Sequence, residues 1–326
     1  MQREELIKLL QFDEDTGYES KIYIPNEIFD DLKNNNDIKS PAHKAFSYCY
    51  IYLATWLYRY AKHNGIIEAT SSTKEGTISM KEILGYNQMT KGLDYLIKKN
   101  GVLEEMGYLS TVKDYPISAM FEDGYLEFSM LSDLDVEMQK YVKNRSSRKY
   151  TIKFPVKAFY RFDDNDEDGT FYFIDNTTLI PFEVFLFCMS NEKLGCEAFY
   201  LYSYLQYKNQ IFEGGYDVSI ENLALETGLN IRTLKNYLHL LKGYKMIQCM
   251  HNQDFFALGL IKEKRKANTY ITNDSELFFD ELTTYKKIKV MPRKEYLLKL
   301  KFEKEEEIKK WEATEAVNIP IEQLPF

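Results

Sequence analysis

One stretch in the second half of this chain carries the residue types that recognise DNA. It reads NIRTLKNYLHLLKGY, residues 230–244, and its polar residues recur at helical spacing. Guanidinium, ammonium, amide and imidazole groups hydrogen-bond phosphates and the edges of bases. We therefore expect a helix here that contacts DNA. The binding residues that we predict on it are Arg232, Thr233, Lys235, Asn236 and His239.

The apolar residues of the same stretch indicate what positions this helix. Leu234, Leu238 and Leu241 recur at i, i+4 and i+7, which is the spacing of a buried stripe. A shorter helix capped by Ser219 is predicted before it. Gly228 lies in the turn between the two helices, where the backbone needs a positive φ or a close approach to its neighbours. These elements predict a helix-turn-helix. An ordinary three-helix unit with a solvated charged face is the alternative.

Strand-like runs follow the predicted helix-turn-helix, and basic residues stand between them. The runs are residues 246–250 and 268–272. Lys264, Arg265 and Lys266 lie shortly before the second run. Strand, loop, basic segment and strand in this order are typical of a β-wing, whose positive tip suits a phosphate backbone or a minor groove. We predict that these three residues contact phosphates.

An earlier part of the chain repeats these landmarks. The pattern Ile-Pro-x-Glu-aliphatic-Phe occurs at residues 24–29 and again at 180–185, and an aromatic helix beginning with Ala-Phe follows each. Each copy then has a serine that can cap a short helix, Ser79 or Ser219, and the pattern Gly-x-Asn-x-x-Thr. We interpret these recurrences as an internal duplication of one domain. Two unrelated helical regions that share common residues are the alternative.

The first copy is the weaker candidate for DNA binding. Its predicted recognition helix spans residues 88–99, with Met89, Leu93 and Leu96 facing inward. The residues predicted to face outward and bind DNA are Gln88, Lys91, Tyr95 and Lys98. Its wing is predicted at residues 108–128 and carries few basic residues. A dimerisation or partner domain is the alternative function.

The segment between the copies is strongly basic. Residues 140–157 hold seven positive charges and no acidic residue, and the DNA-contact candidates among them are Arg145, Arg148 and Lys149. A solvated linker is the alternative. Aromatic runs on both sides of an acidic loop predict a β-hairpin at residues 159–174. Residues 164–169 match the opening of an EF-hand, but the strand-like flanks favour a hairpin turn over a calcium site.

Composition excludes several classes of protein. A net charge of −8 argues against indiscriminate nucleic-acid binding and leaves room for a local basic face. No run approaches 18 apolar residues, so we expect no membrane span and a cytoplasmic location. The four Cys and four His form no cluster, and the usual nucleotide-binding and hydrolase motifs are missing. We therefore expect no metal, no cofactor and no enzymatic activity.

The stretch SIENLALETGLNIRTLKNYLHLLKGYKMI, residues 219–247, followed by KANTYIT, resembles the winged-helix domains of plasmid and phage replication proteins of low-GC Gram-positive bacteria. Tandem winged helices with a connector are similar to the plasmid replication initiators of that group. The resemblance covers residues 24–110 and 180–273. It implies DNA binding, and winged-helix transcription regulators share most of its motifs.

These patterns predict a mainly α protein with small β wings (α+β), in which two tandem winged helix-turn-helix domains are joined by a helix and β-hairpin connector. The predicted segments are an N-terminal arm (1–22), a first domain (23–131), a basic connector (132–178), a second domain (179–273) and a charged helical tail (274–326).

The expected function is sequence-specific binding of double-stranded DNA at two related half-sites, as the replication initiator of a plasmid or phage. A transcriptional repressor of a plasmid or phage is one alternative, and a primosome or partition module that does not read sequence is another. Further candidate partners are a second copy of the chain, as a homodimer, and a replication-machinery protein that docks on the C-terminal tail. Residues 323–326, QLPF, look like clamp-docking peptides, although random composition is favoured.

Overall fold

The computed structural model describes residues 1–15, 17–66, 80–122, 125–145, 151–162, 168–260 and 264–317. It confirms a mixed α+β fold in which helices predominate and the sheets are small. Among these residues, no sheet has more than three strands.

The first half of the fold extends to the end of the basic segment. Its helices are α1 (Arg3–Leu10), α2 (Ile28–Asn34), α3 (Pro41–Arg59), α4 (Met80–Ile83), α5 (Asp94–Ile97), α6 (Val102–Glu105), α7 (Val136–Arg145) and α8 (Val156–Phe159). Its strands are β1 (Lys21–Pro25), β2 (Leu109–Val112), β3 (Pro116–Glu122), β4 (Tyr125–Met130) and β5 (Ile152–Pro155). Short 3₁₀ turns cover Tyr18–Ser20, Lys91–Leu93 and Leu131–Asp133.

The second half begins at the second Ile-Pro segment. Its helices are α9 (Phe182–Ser190), α10 (Gly195–Ile211), α11 (Ile220–Thr227), α12 (Ile231–Gly243) and α13 (Arg293–Val317). Its strands are β6 (Thr177–Pro181), β7 (Tyr216–Val218), β8 (Ile247–His251), β9 (Phe255–Ala257), β10 (Asn268–Thr272) and β11 (Lys289–Met291), with a 3₁₀ turn at Ser275–Leu277.

The two Ile-Pro segments pair with one another. Strands β1 and β6 run antiparallel, with Tyr23 opposite Leu179. Tyr23 and Leu179 each lie two residues before the proline of their own segment, so the register is symmetric about this pair. The pairing therefore joins the halves through equivalent positions.

The aromatic helices α3 and α10 pack against each other at the centre of the molecule. The rings of Tyr52 and Phe199 are 4.8 Å apart. The hydroxyl of Tyr52 donates to the Ile180 carbonyl (2.8 Å), and that of Tyr202 donates to the Asn273 carbonyl (2.9 Å). Tyrosine suits these positions because its ring fills the core while its hydroxyl finds an acceptor. One hydrophobic core therefore contains residues of both halves.

The continuous recognition helix predicted at residues 88–99 does not form. The chain instead makes the 3₁₀ turn Lys91–Leu93 and the one-turn helix α5. Leu93 and Leu96 are buried as predicted, but Met89 is 76% exposed and does not face inward. Residues 88–99 of the first half therefore form no helix of the length of α12.

A buried lysine accounts for this break. The Lys81 ammonium pairs with the Asp94 carboxylate and donates to the carbonyl oxygens of Gln88 (3.4 Å) and Thr90 (3.1 Å). These carbonyls are therefore satisfied by a side chain and need no helical N–H. Gly92 further lowers the helix propensity of the segment.

The predicted first wing, residues 108–128, is also built differently. Strand β2 pairs with the distant β5, Leu109 opposite Pro155, while β3 and β4 pair with each other as a separate hairpin. Residues from the hairpin and from the segment after it form a second hydrophobic core, in which Tyr58 of α3, Leu126 and Phe171 are buried.

The β-hairpin predicted at residues 159–174 is wrong for its described part, because neither 159–162 nor 168–174 contains a strand. Arg161 is drawn into an ion pair with Glu27, donating from Nε (2.8 Å) and Nη2 (2.6 Å), and its backbone N–H donates to the Asp168 carboxylate (2.7 Å). The chain is thereby held against the first half. The EF-hand-like loop falls mostly on residues 163–167, outside the described residues.

Candidate nucleic-acid interface

Local capping sets the ends of the two helices α11 and α12. The Ser219 hydroxyl accepts from the Asn222 N–H (3.1 Å) at the start of α11. Gly228 ends that helix with φ of 68°, a conformation that glycine adopts without steric cost. The Asn230 side chain then caps α12 by accepting from the Thr233 N–H (2.8 Å). The helix, turn and helix predicted from the sequence are therefore present.

The inner face of α12 is fixed by packing on the central core. Leu234, Leu238 and Leu241 are buried, as predicted. An antiparallel sheet with strand order β7-β10-β8 flanks the two helices, since β7 precedes α11 whereas β8 and β10 follow α12. Asn268 of β10 is opposite both Val218 and His251. With one face held by the core, the opposite face of α12 is presented to solvent.

That outer face carries the predicted DNA-binding residues. Arg232, Lys235 and Asn236 are exposed. Thr233 is half-buried, and its backbone N–H donates to the Asn230 side chain that caps the helix. His239 is exposed, but its Nδ1 lies 2.7 Å from the Tyr285 hydroxyl oxygen. Three predicted side chains are thus open to a ligand, and His239 is held by a residue of the tail.

The loop between β8 and β10 carries the second predicted group. Lys264, Arg265 and Lys266 are exposed. The Arg265 Nε donates to the Leu260 carbonyl (3.1 Å), which holds the arginine stem against the loop. Strand β9, in the same loop, pairs in parallel with β11, and the Phe255 ring lies 6.1 Å from the Tyr296 ring of α13. The tail therefore supports the loop.

The predicted residues of the first half do not share one surface. Lys91 and Lys98 are exposed, whereas Gln88 is half-buried. Tyr95 does not face outward: its hydroxyl accepts from the Lys39 N–H (3.0 Å) and lies 2.9 Å from His43 Nδ1. Tyr95 packs inward because the broken helix turns its side chain toward the start of α3.

The basic segment is partly used inside the fold. Arg145 is the last residue of α7, and Arg148 and Lys149 lie outside the described residues. Lys153, in β5, forms an ion pair of 2.7 Å with Glu104. Burial alone raises the pKa of Glu104, but hydrogen bonds from Lys153 and Thr111 outweigh it and leave the pKa below its ordinary value. The charge of Lys153 is therefore used within the fold.

A basic segment that the sequence predictions missed lies beside α12. Residues 285–294, YKKIKVMPRK, hold five positive charges and no acidic residue. The exposed members are Lys286, Lys287, Lys289, Arg293 and Lys294. A count of charge in short windows finds this segment as readily as residues 140–157. What the count cannot find is its position beside the outer face of α12.

Other kinds of site are not evident in the described part of the chain. No group of three or more His, Cys, Asp or Glu there could hold a metal ion. Cys49, Cys188 and Cys196 are buried free thiols, and Cys249 is a half-buried one. Among the described residues, no helix combines the length and the apolar character that crossing a bilayer requires.

The exposed side chains of α12, the basic β8–β10 loop and the basic tail segment thus stand out as the candidate binding surface.

No known protein family, curated protein or solved structure matches this chain.

Proposed function

We propose that this protein binds double-stranded DNA sequence-specifically through a winged helix-turn-helix formed by residues 216–272. The observation that carries the proposal is the outer face of α12. It exposes Arg232, Lys235 and Asn236 on a helix whose opposite side is fully engaged by the core. An α-helix fits the major groove, where arginine, lysine and asparagine pair with guanine and adenine edges.

The sheet formed by β7, β8 and β10 supports the same proposal. The order β7-β10-β8, with a long loop joining β8 to β10, is the arrangement expected of a wing. The loop exposes Lys264, Arg265 and Lys266, which suit the phosphates next to the groove that α12 would occupy. We assign base reading to α12 and backbone contact to the loop.

The first half has a different role in this proposal. An internal duplication is supported by the symmetric register of β1 and β6 about Tyr23 and Leu179. The first copy keeps the aromatic helix but has only the short α5 where the second copy has α12. We infer that the first copy mainly supports the second. A DNA site with two related half-sites would then be filled by two chains, as a homodimer.

The biological role rests on the resemblance of residues 219–247 to replication proteins. We propose a replication initiator of a plasmid or phage that acts in the cytoplasm and has no enzymatic activity of its own. A transcriptional repressor would use the same surface, and gene context distinguishes the two roles. A repressor is encoded beside a divergent promoter, and an initiator beside an origin that contains repeats.

The decisive experiment is selection of bound sequences from a random duplex library with the full chain. Enrichment of a defined motif is the expected result. The double variant Arg232→Ala, Lys235→Ala should then lose about 2–6 kcal/mol of affinity for that motif, because each base contact contributes about 1–3 kcal/mol. Lys304→Ala with Lys309→Ala, which removes exposed cations of α13, is the matched control and should bind normally.

Two results would contradict the proposal in different ways. Binding of all duplexes without a motif would favour a module that does not read sequence. Undiminished affinity of the Arg232 and Lys235 variant for a selected motif would show that α12 is not the reading helix.

A further inference from the structure

The tail that follows β10 crosses the end of α12 as an extended segment, residues 278–289, which we call the strap. Its beginning is anchored in the core, where the Phe278 ring lies 5.2 Å from Phe187 and 5.9 Å from Tyr202. The backbone N–H of Phe279 then donates to the Tyr244 carbonyl at 2.9 Å. The path of the strap is thus set by ring packing and by a backbone hydrogen bond.

The strap lies on the outer face of α12. Gly243 follows Arg232 by eleven residues and His239 by four, so it belongs to the same helical face. Thr283 donates from its backbone N–H (2.9 Å) and its hydroxyl (2.7 Å) to the Gly243 carbonyl. A Cβ at Gly243 would overlap the Leu282 side chain, so glycine permits this close approach.

Tyr285 continues along that face. Its hydroxyl oxygen lies 2.7 Å from His239 Nδ1, and the Lys242 ammonium sits over its ring at 4.5 Å. Burial lowers the pKa of Lys242, and the positive charge of Lys287 lowers it further. The strap therefore brings additional cations to the end of the helix.

The strap ends at β11, which pairs with a strand of the β8–β10 loop. Strand β11 pairs in parallel with β9, Lys289 opposite Phe255 and Met291 opposite Ala257. It thus connects the reading face of α12 to the loop that carries Lys264 to Lys266. Lys286, Lys287 and Lys289 are exposed along this route, and no acidic residue lies between Glu281 and Glu295.

We infer that the strap is a third part of the DNA interface, whose lysines contact the phosphates between the groove read by α12 and the backbone held by the loop. This inference rests on the proposed function. Two observations carry it, the position of Gly243 and His239 under the strap and the continuous row of exposed cations. A row of cations with no acidic residue between Glu281 and Glu295 is a surface that fits a polyanion.

The test uses the full chain and a random-sequence duplex of about 30 base pairs, which spans about three helical turns. The triple variant Lys286→Gln, Lys287→Gln, Lys289→Gln is compared with the parent at several salt concentrations. Each lost phosphate contact reduces the slope of log affinity against log salt by about 0.9, so we expect a slope shallower by about 2–3. The triple variant Lys301→Gln, Lys304→Gln, Lys309→Gln removes the same charge from α13 and should keep the parental slope.

A second measurement needs no variant. Bound duplex should protect the strap lysines of the unaltered chain from acetylation, while Lys304 and Lys309 remain reactive. An unchanged slope together with unprotected strap lysines would overturn the inference and leave the proposed function standing. Tighter binding by the strap variant would also overturn it, since the strap would then compete with DNA. Failure of the parent to bind any duplex would overturn the proposed function itself.

Discussion

The Tyr285 hydroxyl and His239 Nδ1 lie 2.7 Å apart, so a residue of the tail orients a residue of the outer face of α12. The sequence separates the two by 46 positions. The helix and the strap therefore form one surface, and a change that displaces the strap should alter the orientation of His239 on the helix.

The contact between Gly243 and Leu282 provides a test of that coupling. Gly243→Ala should displace the Leu282 side chain and lower the free energy of unfolding by at most about 1 kcal/mol, because the added methyl group overlaps an exposed side chain that can rotate. It should also expose the strap to proteolysis. Adding Leu282→Ala removes the overlap, so the double variant should be more stable than the sum of the single effects predicts. Strict additivity in denaturant unfolding would refute the contact.

The ion pair between Arg161 and Glu27 should be a strong link between the connector and the first half. The Arg161 side chain is 2% exposed, and its partner is 30% exposed. Arg161→Met should lower the free energy of unfolding by about 3 kcal/mol, since it leaves Glu27 without its cation. Glu27→Asp, which keeps the charge, should cost less. Equal stability of Arg161→Met and the parent would show that the pair contributes nothing.

The same ion pair predicts that the free energy of unfolding depends on pH in the acidic range. Burial alone raises the pKa of Glu27, but hydrogen bonds from Arg161 and the backbone reverse this and leave it below its ordinary value of 4.5. The stabilisation is therefore complete above about pH 4.5 and is lost as pH falls through the depressed pKa of the folded state. Glu27→Gln should lack this component of the acid unfolding curve.

His63 should make stability sensitive to a milder fall in pH. It is 3% exposed beside the rings of Tyr58 and Tyr115, and burial lowers its pKa to about 3. The unfolded chain binds a proton on this residue below about pH 6.5, whereas the folded chain does not. The free energy of unfolding should therefore fall by about 1.4 kcal/mol per pH unit between about pH 6 and pH 5.

Replacement of His63 by phenylalanine tests this prediction, because the unfolded chain can then no longer bind a proton at this position. The pH dependence between those limits should become flatter in chemical denaturation followed by circular dichroism. An equal slope in the parent and in the His63 variant would mean that His63 is protonated in the fold.

Sequence reasoning succeeded where structure depends on neighbouring residues. Ser219, Gly228 and Asn230 act within a few residues of their partners, so the ends of α11 and α12 could be predicted from their types. The apolar stripe of α12 could likewise be predicted from its spacing. The exposure of Arg232, Lys235 and Asn236 followed from that stripe, because residues on the opposite side of a packed helix face solvent.

It failed where a side chain from outside the segment competes with the local pattern. The segment 88–99 has a helical period, but Lys81 takes two of its carbonyls and Gly92 weakens it. Residues 159–174 alternate like strands, but Arg161 is bound by Glu27, 134 residues away. Glu27 lies far outside any window that reveals periodicity, and Lys81, although only seven residues from Gln88, is not identified as a partner by a hydrophobic period.

The sequence by itself determined the α+β class, the ends of the helices α11 and α12 and the outer face of α12 that we propose to bind DNA. All of these depend on period, capping and turn residues that lie close together along the chain. Only the tertiary structure decided that β1 pairs with β6 about Tyr23 and Leu179, and that the strap covers Gly243 and reaches the β8–β10 loop. Contacts of that kind form when the whole core closes, because their partners are far apart in the chain and no local pattern specifies them.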